Sequence, residues 1–148
     1  MGDIKIKAVN SETVSTMVEL LGQYQSFYGA TPNDGHNLKF LKHFLTSDEG
    51  IFFIGYDGSN PVGYVSLYFS YSSVTAKRIA ILNDLYVRDS SRNNGFGKQL
   101  IDYAINYAHN KKITQVRWCT RISNEKAQKL YSKYDAKKTD WLHYDLSK

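Results

Sequence analysis

LNDLYVRDSSRNNGFGK, residues 82–98, carries an apolar strand into a polar, glycine-punctuated turn and then into a helix. Asn83 and Asp84 interrupt the strand, and burying such groups without partners is costly. They are therefore expected to face a site or a satisfied hydrogen-bond network. After them, Arg92, Gly95 and Gly97 stand in R-x-x-G-x-G spacing just ahead of the helical pattern of Phe96 to Lys111. A helix start presents free N–H groups and a partial positive charge, and glycines let a pyrophosphate come close to the backbone. The junction reads as a phosphate cradle. Asp89, Ser90 and Ser91 have two readings, phosphate contacts through their backbone or a turn that caps the next helix.

The spacing of Arg92, Gly95 and Gly97 resembles the acyl-CoA-binding motif of the GNAT superfamily of N-acetyltransferases, Arg or Gln followed by x-x-G-x-G or A. A second match lies downstream, where Trp118-Cys119-Thr120, then Asn124, Ala127, Leu130 and Tyr131, resemble the W-x-T…N-x-x-A-x-x-L-Y segment of that superfamily. The likeness extends to Tyr24, Phe27 and Tyr28, and is nearest to the branch of the yeast histone and D-amino-acid acetyltransferases and the diamine acetyltransferases. The resemblance implies an α/β fold with a mixed, mostly antiparallel central sheet flanked by about four helices. It also implies acetyl-CoA as cosubstrate and a primary amine as acceptor. On this resemblance acyl-CoA is assigned to strand residues Leu85, Tyr86 and Val87, to turn residues Arg92, Asn93, Asn94, Gly95, Phe96, Gly97 and Lys98, and to Asn124 and Tyr131. The acceptor is assigned to Tyr24, Phe27, Tyr28, Asn83, Asp84 and Trp118.

An alkyl amine with a pKa near 10.4 is neutral in only about one molecule in 2,500 at pH 7, so acetyl transfer requires removal of a proton. It also requires stabilisation of charge on the thioester oxygen and help for the departing thiolate. Tyr131 follows Asn124 by seven residues, almost two helical turns and about 10.5 Å of rise, so both project from nearly one face. Spacing alone reads Tyr131 as packing with Ala127 and Leu130, and Asn124 as a helix cap; the resemblance makes Tyr131 the general acid for the thiolate. Diamine-type relatives often carry Glu then Asp in the fourth strand. Here the Glu position is Asn83, which cannot take a proton, and Asp84 matches the Asp. Asp84 is read as positioning water or the substrate ammonium, or as a structural hydrogen-bonding group, with ordered water as another route for the proton. Asn83 also motivates the alternative of a non-catalytic acyl-CoA-binding or regulatory module.

At 148 residues the chain is expected to form a single domain, residues 1–148, that buries about two thirds of its unfolded surface. Tyrosine is abundant, 12 residues, and suits pocket walls and interfaces because the ring packs while the hydroxyl finds a partner. The formal charge of +5 is dispersed, the densest runs being Lys111-Lys112 and Lys137-Lys138, so no nucleic-acid stripe is expected and a local patch would serve CoA. Cys119 is the one cysteine, which permits no intramolecular disulfide and is read as buried packing in a reducing, cytoplasmic setting. The N-terminus lacks the apolar run of a secretory signal, and no stretch approaches a membrane span. His36, His43, His109 and His143 have no metal-ligand spacing with a partner acid, so no metal is expected.

Hydrophobic periodicity predicts a first strand at Ile4–Ala8, a helix from about Ser11 to Tyr28, and a loop from Gly29 to Asn37. A second helix is predicted from Leu38 to near Ser47. Ile51–Tyr56 and Val62–Ser70 read as a hairpin joined by Asp57-Gly58-Ser59-Asn60-Pro61, followed by strands at Ile79–Val87 and Gln115–Thr120 and a helix at Asn124–Lys133. Trp141, His143 and Asp145 alternate with Leu142, Tyr144 and Leu146, which predicts a terminal strand over Thr139–Leu146. A bare apolar edge of that kind is seldom left exposed, so a homodimer is expected.

Overall fold

The computed structural model describes residues 2–148. In chain order it contains β1 (Lys5–Ala8), α1 (Val14–Phe27), α2 (Asp34–Leu45), β2 (Gly50–Asp57) and β3 (Asn60–Ser72). There follow β4 (Lys77–Val87), α3 (Phe96–Asn110), β5 (Val116–Arg117) and α4 (Glu125–Tyr131), with a 3₁₀ turn at Asp89–Ser91 between β4 and α3. Two compact units divide the chain, Met1–Trp118 and Cys119–Lys148.

The first unit holds a five-stranded sheet in the order β1-β2-β3-β4-β5. Neighbours are antiparallel as far as β4, and β5 runs parallel to β4. A parallel pair needs a crossover, and α3 provides it. This is the mixed, mostly antiparallel arrangement expected. Strands β2 to β4 are buried on both sides, so they read as near-continuous apolar runs. On one face α1 and α2 cover them, with Met17, Leu20, Leu41, Phe52, Ile54 and Tyr64 in a single buried cluster. On the other, Leu100, Ile101, Ala104 and Ala108 of α3 are fully buried, and the Phe53 ring lies 5.1 Å from Tyr103 and 4.9 Å from Tyr107. Each of the large apolar side chains among them, such as Met17, Leu20, Leu100 and Ile101, contributes roughly 1.5–3 kcal/mol through burial.

Five sequence expectations are corrected. α2 begins at Asp34, inside the predicted loop, because Asn33 caps it by accepting from the His36 N–H at 2.9 Å and Asp34 opposes the helix dipole in the first turn. α1 begins at Val14 instead of Ser11. The Asn10 carboxamide takes the Glu12 and Thr13 N–H groups at 2.9 and 3.1 Å, closing a turn before the helix starts. Residues 135–148 form neither helix nor strand. The predicted terminal strand at Thr139–Leu146 is therefore absent, and Trp141, Leu142, Tyr144 and Leu146 are exposed. Cys119 is exposed, contrary to its reading as core packing. The predicted five-residue hairpin connection tightens to Gly58-Ser59, since Asp57 pairs with Asn60.

Candidate active site

Strand β4 is irregular where its polar residues lie. Ser66 opposes Asp84 and Leu67 opposes Leu82, so Asn83 is an extra residue with no counterpart on β3. Such a bulge re-aims neighbouring side chains. Asp84 is only 5% exposed. Its register partner Ser66 donates its hydroxyl to Oδ2 at 2.9 Å and accepts the Asp84 N–H at 3.1 Å. Asn83 Nδ2 donates to Oδ1 at 2.9 Å. The Tyr24 hydroxyl, from the last turns of α1, also lies near enough to the carboxylate to interact with it. The Tyr64 hydroxyl is close enough to feel its charge, yet among the described residues it makes no hydrogen bond of ordinary geometry.

Burial pushes the Asp84 carboxyl above the usual carboxylate range, and the polar groups of Ser66, Tyr24, Asn83 and Tyr64 around it offset only part of that. The phenols of Tyr24, Tyr64 and Tyr68 are raised by burial first and by the Asp84 charge second, so each stays a neutral hydroxyl at physiological pH. A single carboxylate thus sits among tyrosines on the α1 side of the sheet. Tyr24 is fixed there by ring contacts to Tyr28 at 5.0 Å, Tyr64 at 5.9 Å and Tyr86 at 6.3 Å.

At the far end of β4 the chain enters the glycine turn. Gly95 is the N-cap of α3 with φ +78°, Asn93 has φ +64°, and no side chain caps the helix. A Cβ built on Gly95 would meet nothing within 4 Å, so the backbone there faces open space. A helix start with these properties suits a pyrophosphate. Asn94 Nδ2 braces the turn from inside by donating to the carbonyls of Ser91 and Arg92 at 3.0 and 3.2 Å. Between turn and bulge, the β4–β5 ladder stops at Ile81, opposite Arg117. Leu85, Tyr86 and Val87 therefore lack a strand partner on that side among the described residues, which leaves an edge able to accept an extended amide chain.

Arg92 differs from the picture of a free phosphate ligand. Its Nε donates to the Val87 carbonyl at 3.0 Å, Nη1 pairs with Asp89 at 2.6 Å, and the guanidinium lies over the rings of Phe27 at 5.2 Å and Tyr86 at 5.9 Å. It binds the turn to the end of α1. Asp89 and Ser91 belong to the 3₁₀ turn and do not cap α3. A groove of about 900 Å³ runs along α1, where Gln23 and Phe27 face Tyr86 and Arg88; neither Asp84 nor Gly95 lines it.

The sequence profile of the Acetyltransferase (GNAT) family matches residues 16–135. The chain belongs to the GNAT acetyltransferase family. An uncharacterized N-acetyltransferase of Bacillus subtilis, YhfO, is 30% identical over 145 residues, 97% of each chain. The D-amino-acid N-acetyltransferase HPA3 of Saccharomyces cerevisiae is 26% identical over 144 residues, 95% of this chain and 89% of its own. The crystal structure of a probable acetyltransferase superimposes with a TM-score of 0.87 at 27% identity, covering 97% of both chains. The GNAT assignment accords with the fold and with acetyl transfer as the activity.

In this GNAT chain the structure brings Tyr24, Asn83 and Asp84 together, and places Phe27 beside Arg92 at the adjacent wall. Tyr28 joins the cluster through Tyr24. Trp118 closes the first unit, just beyond β5. In the second unit Asn124 is the N-cap of α4, accepting from the Ala127 N–H at 3.1 Å, and Tyr131 is the last residue of that helix. The sequence reading missed Ser66, Tyr64 and Tyr68. Ser66 had a signal, since a hydroxyl in the apolar run VGYVSLYF raises the same question of partnership as Asn83-Asp84 did.

Proposed function

We propose that the chain transfers the acetyl group of acetyl-CoA directly to a primary amine, whether a small amine, a polyamine, an amino acid or a protein lysine. The observation that carries this reading is the buried Asp84, of raised pKa, beside an unpaired strand edge that leads to an uncapped helix start. Residues Leu85, Tyr86 and Val87 would receive the pantetheine amides along the strand edge. The turn from Arg92 through Asn93, Asn94, Gly95, Phe96 and Gly97 to Lys98 would hold the pyrophosphate through its backbone. Asp84 serves the amine side, where a carboxyl raised toward neutrality is suited to accept a proton. Tyr24, Phe27, Tyr28, Asn83 and Trp118 form the acceptor set. Tyr131 is assigned as general acid, with Asn124 on the same helix, on the strength of the sequence resemblance.

The family profile spans both compact units, and we read the chain as one N-acetyltransferase domain acting in the cytoplasm. A homodimer is part of the same reading, supported by the exposed Trp141, Leu142 and Tyr144 in place of the edge strand first expected. Light scattering that shows only a 17.0 kDa species at micromolar concentration removes it. The activity is tested by incubating the protein with acetyl-CoA and a panel of primary amines and weighing the products. Acetylated amine is the expected result, and CoA binding without product on any amine overturns the reading.

A further inference from the structure

We propose that Tyr24 is a proton relay, its hydroxyl taking the proton of the acceptor ammonium while passing its own proton to Asp84. This rests on the reading of the chain as an amine acetyltransferase with Asp84 on the amine side. What carries it is the gradient of burial around the carboxylate. Asp84 is nearly closed off, and its two oxygens are already engaged by Ser66 and Asn83. An incoming amine would have to dismantle that network to touch it. A proton leaving the amine therefore needs an intermediary that meets both solvent and carboxylate.

Three phenols surround Asp84, and they are not equivalent. Tyr64 is 0% exposed and its hydroxyl is without a hydrogen bond of ordinary geometry among the described residues. The Tyr68 hydroxyl lies near Asn83, which also binds Asp84 Oδ1. Tyr24 is half-buried, lies near enough to the carboxylate to interact with it, and packs its ring against the exposed Tyr28. Its position is rigid as well. The following residue, Gln25, exchanges two amide hydrogen bonds with the buried Asn37 of α2, 2.9 and 2.8 Å, and the Tyr24 ring packs against three others. A relay needs such fixed geometry, because proton transfer falls away steeply with misplacement.

The step balances. The ammonium N–H bond breaks as an O–H bond forms on Tyr24 Oη; the original Tyr24 O–H bond breaks as its proton joins Asp84. Tyr24 ends as the phenol it was, Asp84 becomes a neutral carboxylic acid, and the nitrogen recovers its lone pair. No phenolate is required, in keeping with a phenol whose ionisation burial opposes. The groups that face Asp84 and shape its titration are Tyr24 from α1, Tyr64, Ser66 and Tyr68 from β3, and Asn83 from β4. The proton returns to solvent through Tyr24 once product has left.

The test is Tyr24→Phe, which deletes the hydroxyl and keeps the ring, assayed by product mass on two acceptors. One is an alkyl amine that is protonated at pH 7; the other is a weakly basic fluorinated amine already neutral at pH 7. For the alkyl amine kcat is expected to fall by about 10²-fold or more, and the loss should shrink as pH approaches that amine's own pKa. For the neutral amine the loss should be at least about 10-fold smaller than for the alkyl amine at pH 7, since no proton has to be removed before attack and any binding contribution of Tyr24 is common to both amines. Equal losses on both amines, or a loss on the alkyl amine that is constant with pH, would reduce Tyr24 to a binding residue. An unchanged rate on the alkyl amine would also overturn the relay. Should the variant not fold, Asp84→Asn on the same pair of amines decides, with an acceptor-selective loss required. A wild-type protein that binds CoA and acetylates neither amine sinks the proposed function itself, a different outcome from loss of the relay.

Discussion

Replacing Gly95 by alanine separates what the turn does for the fold from what it does for CoA. Gly95 sits at φ +78°, where an L side chain costs roughly 1–2 kcal/mol. No further clash is added, because the new Cβ meets no atom within 4 Å. For a domain of this size each kcal/mol lowers Tm by about 2–4 °C, so the expected fall is about 2–8 °C. The methyl would, however, stand in the open space from which a pyrophosphate reaches the start of α3. Losing one hydrogen bond to a charged group is worth about 1.5–3 kcal/mol, which weakens CoA binding by roughly 10- to 150-fold. Gly29 supplies the control, since it has the same φ of +78° and equally open space. Gly29→Ala should show the thermal penalty without the binding loss. Titration calorimetry with CoA and thermal melts on the three proteins read both effects. A folded Gly95→Ala protein that binds CoA as tightly as wild type would show that the pyrophosphate lies elsewhere.

Tyr131→Phe should lower kcat by about 10²–10⁴ with nearly unchanged CoA affinity and Tm, the pattern of an interaction made chiefly in the transition state. Wild-type turnover under conditions where chemistry limits the rate returns Tyr131 to packing. Asp84→Asn should change the pH dependence of stability. The folded pKa of Asp84 is raised by burial, so between the ordinary carboxylate value and the raised one the native chain holds more protons than the unfolded chain. Stability then falls as pH rises. The wild type should lose stability relative to Asp84→Asn as pH climbs through that window, and melts at pH 4 and pH 8 showing the opposite trend refute the sign. Tyr64→Phe removes a fully buried hydroxyl with no partner of ordinary geometry, a group whose burial costs about 1–3 kcal/mol. Its Tm should hold or rise, and a clear fall means the hydroxyl is bonded in solution.

The parts of this protein that follow from local chemistry were legible in its sequence. β-rich apolar runs placed β2 to β4, the 3.6-residue period placed α3, and Gly95 marked a turn, which proves to be left-handed, a conformation that only a residue without a Cβ adopts cheaply. Errors arose where one chemistry serves two ends. Asn33 looked like a turn former, but the carboxamide that closes an Asx turn also caps a helix, and its bond to the His36 N–H starts α2. The alternating segment from Trp141 to Leu146 has the period of a strand, yet a strand exists only when a neighbour pairs with it, and no residue inside the segment specifies that neighbour.

Register was equally invisible, and it decides the site. Asp84 was recognisable as a polar interruption, but its environment depends on the one-residue bulge at Asn83, which brings Ser66 opposite it. Without that extra residue the pairing would slip and every later β4 side chain would exchange faces. Arg92 carries the complementary lesson. Its place in the motif suggests a phosphate ligand, whereas its guanidinium holds the Val87 carbonyl and Asp89 and covers Phe27. The physical requirement at that position is then for a long, planar cation that can tie the cofactor turn to the acceptor wall. A lysine keeps the charge but has neither the fork nor the flat face, so the two halves of the site would lose their shared brace.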